Sequence, residues 1–223
     1  MLLLAALLAV GPAHAAPKTM TAEATYALGL RQMNRGYYLK ALEQFNRVRT
    51  YFRDDPYALK AELAIADIHF KKSEWDEARL AYEDFIHAHP RYPELDYVVY
   101  RLGFTIYQKA PAIAARDQTW TQQAINKWTG FSARFPDSTH GAEVAKLLGK
   151  ARDRMARKEL IIGRFYARRK AWPAVVGRLD PLVQKYGDTA EKEPAVALLD
   201  HARKELARME AEKAAENTQL PQK

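Results

Sequence analysis

Few residues in this chain have the types and spacing that covalent or metal chemistry needs. Its 223 residues include no cysteine, so thiol nucleophiles and thiolate metal ligands are absent. His87 and His89 stand two positions apart, so they would point to different sides of a helix end and cannot share a metal site. The sequence also lacks the HExxH, GxSxG and phosphate-binding glycine-loop motifs. We therefore predict that the protein is not an enzyme and that it binds no cofactor and no metal ion.

The strongest pattern in the sequence is a repeat of small and aromatic residues at helical spacing. Its first two copies lie 37 positions apart and consist of Tyr38, Ala41, Phe45 and Val48, and of Trp75, Ala78, Tyr82 and Phe85. A third copy contains Ala124, Trp128 and Phe131, and a divergent fourth contains Trp172, Val175 and Leu179. Spacings of three and four residues place each set on one helical face, where the small residue lets a partner helix approach and the ring fills the gap.

The segment before each copy predicts the partner helix. Leu28-Gly29 and Leu102-Gly103 place a small residue where two helices would cross closely, and Pro90 and Pro136 close two of the units. This combination is typical of tetratricopeptide (TPR) repeats. We predict an all-α fold, a TPR-type solenoid of about four to five helix pairs with a C-terminal capping helix, forming a single domain over residues 21–216.

The two ends of the chain differ from the repeats. Leu2–Val10 is an apolar run too short to span a bilayer, Gly11-Pro12 breaks it, and Ala13-His14-Ala15 fits a cleavage site. We expect residues 1–15 to be a signal peptide, so the protein is expected to be exported. The polar segment 217–223 is expected to be a disordered tail.

Aromatic residues on the predicted first helices form the best candidate binding surface. In a TPR array these helices line the concave side, and an insertion at 109–119 adds a loop to the third pair. The candidates are Tyr26, Phe70, Tyr97, Tyr100, Phe104 and Tyr107. Several rings on a solvent-facing wall would suit capture of an extended peptide, although rings at helical spacing are equally expected in an interhelix core.

The net charge of +8 suits anionic lipid headgroups or an acidic partner. Nucleic acid is not expected as a partner, because an exported protein rarely meets it. The same charges would also simply solvate the outer faces of the helices.

Several segments in the same order resemble the BamD family, the TPR component of the machinery that assembles β-barrel proteins in the bacterial outer membrane. They include Asp96–Gly103, Arg116–Gln118, Arg134–Ser138, Arg152–Ala156 and Ala171–Leu179. The resemblance implies a non-enzymatic protein at the inner, periplasmic face of the outer membrane. It also implies contact with the barrel component BamA and other machinery subunits, and possible contact with unfolded outer-membrane protein segments.

Arg178 matches a basic position that the family associates with its BamA-facing half, and Trp172 lies in the same segment. Family members are normally anchored by an acylated cysteine, which this sequence lacks, so we expect only peripheral contact with the membrane, through a partner. Lys170 stands where the family has a turn glycine. The alternative is a cell-envelope TPR adaptor of the YbgF/CpoB type, linked to peptidoglycan or the division machinery.

Overall fold

The structure, a computed structural model, describes the backbone of residues 20–219 and the side chains of residues 20–216. Over this range the chain forms α-helices joined by short connections and contains no β-strand. The predicted all-α fold is confirmed. The signal peptide predicted for residues 1–15 lies outside the described residues.

Ten helices follow one another in the described part of the chain. They are α1 (Ala22–Asn34), α2 (Tyr38–Tyr51), α3 (Pro56–Lys71), α4 (Trp75–Ala88), α5 (Leu95–Gln108), α6 (Thr119–Trp128), α7 (Phe131–Arg134), α8 (Gly141–Arg168), α9 (Trp172–Lys185) and α10 (Lys192–Gln219).

The helix starts follow from residues that satisfy free backbone N–H groups. The hydroxyl of Thr21 accepts a hydrogen bond from the backbone N–H of Ala24 at 3.2 Å, which caps α1. The carboxylate of Asp55 accepts from the backbone N–H of Tyr57 at 2.8 Å, and Pro56 fills a position that needs no N–H donor.

The chain divides into two compact units, and the boundary between them along the sequence falls between Ile65 and Ala66 in α3. The sequence predicted a single domain over residues 21–216, and we describe each unit by itself. In the first unit α1 packs on α2, whose Ala41, Phe45 and Val48 are fully buried. In the second unit α5 packs on α4 and α6, α8 packs on α6 and α9, and α9 packs on α10.

A glycine opposite a large side chain marks the closest helix crossings. A Cβ atom on Gly29 would lie 2.6 Å from Cε1 of Phe45, and one on Gly103 would lie 2.8 Å from Cδ1 of Trp128. Ala66 occupies the corresponding position of the repeat, 37 residues from each of these glycines, and is fully buried. The Leu-Gly positions therefore do what the sequence predicted, since a side chain at Gly29 or Gly103 would overlap the ring packed against that glycine.

The same arrangement recurs in the divergent fourth pair. A Cβ atom on Gly163 of α8 would lie 2.7 Å from Cδ2 of Leu179 on α9. Leu179 is fully buried in a core that also holds Leu160, Val175 and Leu182. The fourth repeat thus replaces the aromatic ring by leucine and keeps the close crossing.

The single helix predicted to carry the third copy of the repeat, Ala124, Trp128 and Phe131, is not continuous. It is broken into α6 and α7 at Gly130, whose φ of +76° is a left-handed conformation that ends a helix. Phe131 still reaches the core because α7 restarts the helical path directly after the break.

At the C-terminal end, α10 continues to Gln219 and so includes the first three residues of the predicted tail. Residues 220–223 lie outside the described range. Among the described residues, no helix combines the length and the apolar character that crossing a membrane requires.

Replacing Gly103 by alanine tests the close crossing. The new methyl group would overlap the indole of Trp128, so we expect the free energy of unfolding to fall by about 1–3 kcal/mol in a urea titration. The matched control is Gly149→Ala, because a Cβ there meets no atom within 4 Å. We expect the free energy of unfolding of this control variant to rise by up to about 1 kcal/mol, because alanine favours a helix more than glycine does. Equal stabilities for the Gly103 variant and the parent would contradict the tight packing.

Candidate functional site

Half-buried aromatic rings from α3, α4, α5 and the start of α8 form one connected surface in the second unit. We call this set the aromatic ladder; its members are Phe70, Trp75, Tyr97, Tyr100, Phe104 and His140. Four of the sequence-predicted candidates are brought together here, and each keeps part of its ring exposed.

Neighbouring rings of the ladder lie at distances that favour direct aromatic contact. The centroid of Phe70 lies 5.3 Å from Trp75 in an edge-on arrangement and 5.5 Å from Phe104. Tyr100 stacks nearly parallel on Phe104 at 6.2 Å and on His140 at 5.0 Å. Such pairs hold one another's orientation, so the ladder is a preformed apolar surface with polar edges.

The register of α5 explains why these rings face outward. Tyr97, Tyr100 and Phe104 are spaced by three and four residues on one helical face. Val98, Leu102 and Ile106 occupy the core-facing side and are at most 1% exposed. Burial of the aliphatic face therefore fixes the orientation of the aromatic one.

Arg101 lies among the rings and carries the charge of the site. Its Cζ atom is 3.6 Å from the ring centroid of Phe70, a close cation–π contact. Its Nε atom lies 3.7 Å from the Oδ1 atom of Asp67 and 3.4 Å from the hydroxyl of Tyr82. The guanidinium is thus held against an aromatic face by a carboxylate behind it.

Asp67 is the centre of the polar network beneath the ladder. Its Oδ1 atom accepts hydrogen bonds from the hydroxyl of Tyr82 at 2.5 Å and from that of Tyr97 at 2.8 Å. Burial raises the pKa of the Asp67 carboxyl, while the Tyr82 hydroxyl and the Arg101 guanidinium favour its charged form. Burial and the neighbouring carboxylate raise the pKa of Tyr97, which keeps its hydroxyl protonated as a donor. The network therefore fixes the positions of Tyr97 and Arg101.

Tyr107 lies one turn beyond the ladder, beside the inserted loop. Its ring centroid is 6.0 Å from that of Trp128, and the guanidinium of Arg154 lies 4.5 Å from it. The loop is held in place by buried Gln118, whose amide nitrogen donates to the carbonyls of Pro111 at 3.2 Å and Ile113 at 3.0 Å. The insertion is thus an ordered edge of the surface next to Tyr107.

Tyr26 belongs to the first unit and is not part of the ladder. Its half-buried ring lies 5.4 Å from Phe45 and 5.3 Å from Tyr57. The sequence analysis allowed either an interhelix core position or a solvent-facing position for this ring, and Tyr26 is partly both.

Trp172 is a core residue, which corrects its prediction as a partner-binding residue. It is only 7% exposed, and the ring of His201 on α10 lies edge-on to it at 5.2 Å. Its side chain is covered because α10 packs on α9, so little of it remains for a partner.

Arg178 is exposed on α9, as a docking role requires. Its guanidinium nitrogen lies 3.4 Å from a carboxylate oxygen of Glu159 on α8. Both residues line a shallow depression of about 250 Å³ that also includes Met155, Pro181 and Tyr186. An exposed cation beside a small apolar depression is a suitable anchor for an acidic protein surface.

Sequence reasoning missed Asp67, Arg101 and His140 as members of the site. Asp67 is the charged residue in the otherwise apolar run Ile65-Ala66-Asp67-Ile68. A carboxylate in such a run needs a polar partner when it is buried, and this was the signal that could have identified it. No group of three or more histidine, aspartate or glutamate side chains among the described residues is arranged to hold a metal ion.

Comparisons with known proteins agree with the resemblance found in the sequence. The outer membrane protein assembly factor BamD of Neisseria gonorrhoeae is 25% identical over 193 residues, covering 82% of this chain and 72% of that protein. The BamD of Haemophilus influenzae is 26% identical over 186 residues, covering 79% and 71%. A solved kinesin light chain protein of Podosopora anserina with TPR-like repeats is 14% identical, with a TM-score of 0.48 over 85% of this chain and 96% of that one.

The family assignment depends on a sequence model that spans nearly the whole chain. The model of the YfiO family, described as outer membrane lipoprotein, matches residues 18–220. The chain belongs to the YfiO family.

Proposed function

We propose that this protein is a non-enzymatic scaffold in the assembly and insertion of β-barrel proteins into the outer membrane, acting at the inner, periplasmic face of that membrane. The observation that carries the proposal is the aromatic ladder, a partly exposed apolar surface held rigid by the buried Asp67 network. Membership of the YfiO family and similarity to proteins named as outer membrane protein assembly factors support it.

The geometry of the ladder suits an extended polypeptide. Alternate side chains of a β-strand leave the same face about 7 Å apart. The ladder offers ring-to-ring steps of 5.0–6.2 Å along Phe104, Tyr100 and His140. Strands of outer-membrane barrels alternate apolar and polar residues, so an unfolded strand would lay its apolar side chains on these rings.

Arg101 adds polarity to this apolar surface. Its guanidinium presents several N–H donors in a fixed plane, and the aromatic face of Phe70 holds that plane in place. Backbone carbonyls of an extended segment are acceptors for such donors. We infer that Arg101 orients the bound segment, while the rings supply most of the binding free energy.

The α8–α9 surface around Arg178 is the proposed docking site for a BamA-like barrel component. Arg178 is half-exposed and weakly tied to Glu159, so an acidic partner can compete for it. Docking there leaves the ladder residues of α3 and α5 open for a client segment, because the Arg178 depression and the ladder share no residue.

Replacing Phe104 by serine tests the ladder. The variant loses the ring that bridges Phe70 and Tyr100, so the affinity for a fluorescent peptide copying the last strand of an outer-membrane barrel protein should fall about 10–100-fold. Fluorescence anisotropy measures the affinity, and circular dichroism checks that the fold persists. Tyr51→Ser is the control, because Tyr51 is 75% exposed and outside the ladder. An unchanged peptide affinity in a folded Phe104 variant would contradict the proposal.

Replacing Arg178 by glutamate tests the docking surface. The new carboxylate would lie beside Glu159 and repel an acidic partner, so binding to purified BamA should weaken at least about tenfold in surface plasmon resonance. Arg203→Glu is a closely matched control. Arg203 is similarly exposed, at 53% against 49%, and its guanidinium pairs with Asp180 at 2.6 Å. If both variants lost the same BamA affinity, the loss would come from the change in net charge, and the proposed docking site around Arg178 would be contradicted.

A further inference from the structure

The C-terminal half of α8 carries an exposed surface that neither the aromatic ladder nor the Arg178 depression uses. Ile161 and Phe165 are 37% and 38% exposed there. Exposed basic residues surround them. We call this set the α8 patch; it consists of Ile161, Arg164, Phe165, Arg168, Arg169 and Lys170.

Helical geometry places the α8 members of the patch on one face. At about 100° per residue, residues 161, 164, 165, 168 and 169 fall within an arc of about 140°. Leu160 and Gly163 lie on the opposite side, where they are buried against α9. The patch therefore cannot turn inward, because the core fixes the other side of the helix.

The charge of the patch is not neutralised locally. Arg164, Arg168 and Lys170 form no ion pair with any side chain that the structure describes, and the guanidinium of Arg169 instead lies 4.0 Å from the ring centroid of Phe165. From Leu160 to Lys170 the sequence has four basic residues and no acidic one. Much of the net positive charge is thus concentrated on α8 and the turn that follows it.

Lys170 carries the last cation of the patch in a strained backbone conformation. Lys170 has a φ of +54°, in the left-handed region that favours glycine. The corresponding turn positions before α2 and α4 are occupied by Gly36 and Ser73, both with positive φ. Glycine adopts this conformation without the steric cost that a Cβ atom brings, so Lys170 keeps its cation at a position where glycine would be less strained.

We propose that the α8 patch docks the protein on a phospholipid surface that contains anionic lipids. Phe165 and Ile161 enter the boundary between headgroups and acyl chains, and the surrounding cations contact the lipid phosphates. Two exposed apolar side chains are far fewer than a stable protein–protein interface buries, and cores of such interfaces are depleted in charge. The composition therefore favours a membrane surface over an acidic protein.

Co-sedimentation with vesicles tests this surface. The chain without the predicted signal peptide, residues 16–223, is mixed with vesicles of phosphatidylcholine containing about one third phosphatidylglycerol, or of phosphatidylcholine alone, in about 0.1 M salt. We expect the parent protein to bind only the anionic vesicles. The double variant Arg164→Ala/Arg168→Ala should bind about 25-fold more weakly, since each cation near an anionic surface contributes about a fivefold factor.

The matched control removes a pair of cations with the same spacing from α10. Lys204→Ala/Arg208→Ala has the same net charge as the patch variant, and both of its positions are exposed. It should lose less than about threefold in binding, because the lost charges lie outside the patch and Arg208 is already paired with Glu205 and Glu212. Equal losses in the two double variants, or no binding of the parent protein to anionic vesicles, would overturn the proposal.

Lys170→Gly separates the membrane role from a structural one. Relief of the left-handed strain should raise the melting temperature by about 2–4 °C, while loss of the charge should weaken vesicle binding about fivefold. If the Lys170→Gly variant is more stable and binds vesicles as tightly as the parent, Lys170 does not contribute to membrane binding. A protein partner is the other outcome. The patch would be assigned to it if the parent failed to bind vesicles but bound an acidic protein domain, and if the patch variant lost that binding.

Discussion

Close crossings between a glycine and a large side chain fix the packing of three helix pairs and thereby decide which helix faces are exposed. Gly103 lets the indole of Trp128 lie directly on the backbone of α5, where its N–H also reaches the carbonyl oxygen of Tyr100 at 3.4 Å. Gly29 with Phe45 and Gly163 with Leu179 repeat the arrangement. Because interiors are packed as densely as crystals, the crossing admits one helix orientation, and that orientation decides which face of α5 is exposed.

The candidate binding surface is a consequence of this constraint. Once Leu102 and Ile106 are buried, the aromatic face of α5 is left outside. A chain with only this exposed apolar face would risk aggregation. The polar network of Asp67 with Arg101 gives the surface charge, hydrogen-bond donors and fixed geometry, which suits binding that is selective and reversible.

The parts of this account that the sequence predicted are those carried by local spacing. The repeat of alanine and aromatic residues predicts the helix pairs, and the spacing of Tyr97, Tyr100 and Phe104 predicts a shared face. The role of Asp67 is not local, because it depends on Tyr97, thirty positions away, being brought to the same point. The pairing of Asp67 with Arg101 is likewise not local, because it also requires residues from α3 and α5 to come together.

Two predictions failed for physical reasons that spacing does not reveal. Trp172 matches the repeat position of the half-buried Trp75, but α10 covers it through His201. Ala124, Trp128 and Phe131 have the spacing of one helical face, but Gly130 takes a left-handed conformation that divides the helix before Phe131. Burial by a later element and the conformation of a single glycine are both decided by the tertiary structure.

The central claim is that the aromatic ladder contacts extended segments of unfolded barrel proteins in the cell envelope. The most direct measurement places a photoreactive amino acid at Tyr100, irradiates living cells and identifies the captured proteins by mass spectrometry, with the same probe at Tyr51 as the reference position. The account predicts that the Tyr100 probe captures outer-membrane barrel proteins through their strand segments and that the Tyr51 probe does not. Capture of cell-wall or division proteins by the Tyr100 probe, or identical captures at both positions, would contradict it.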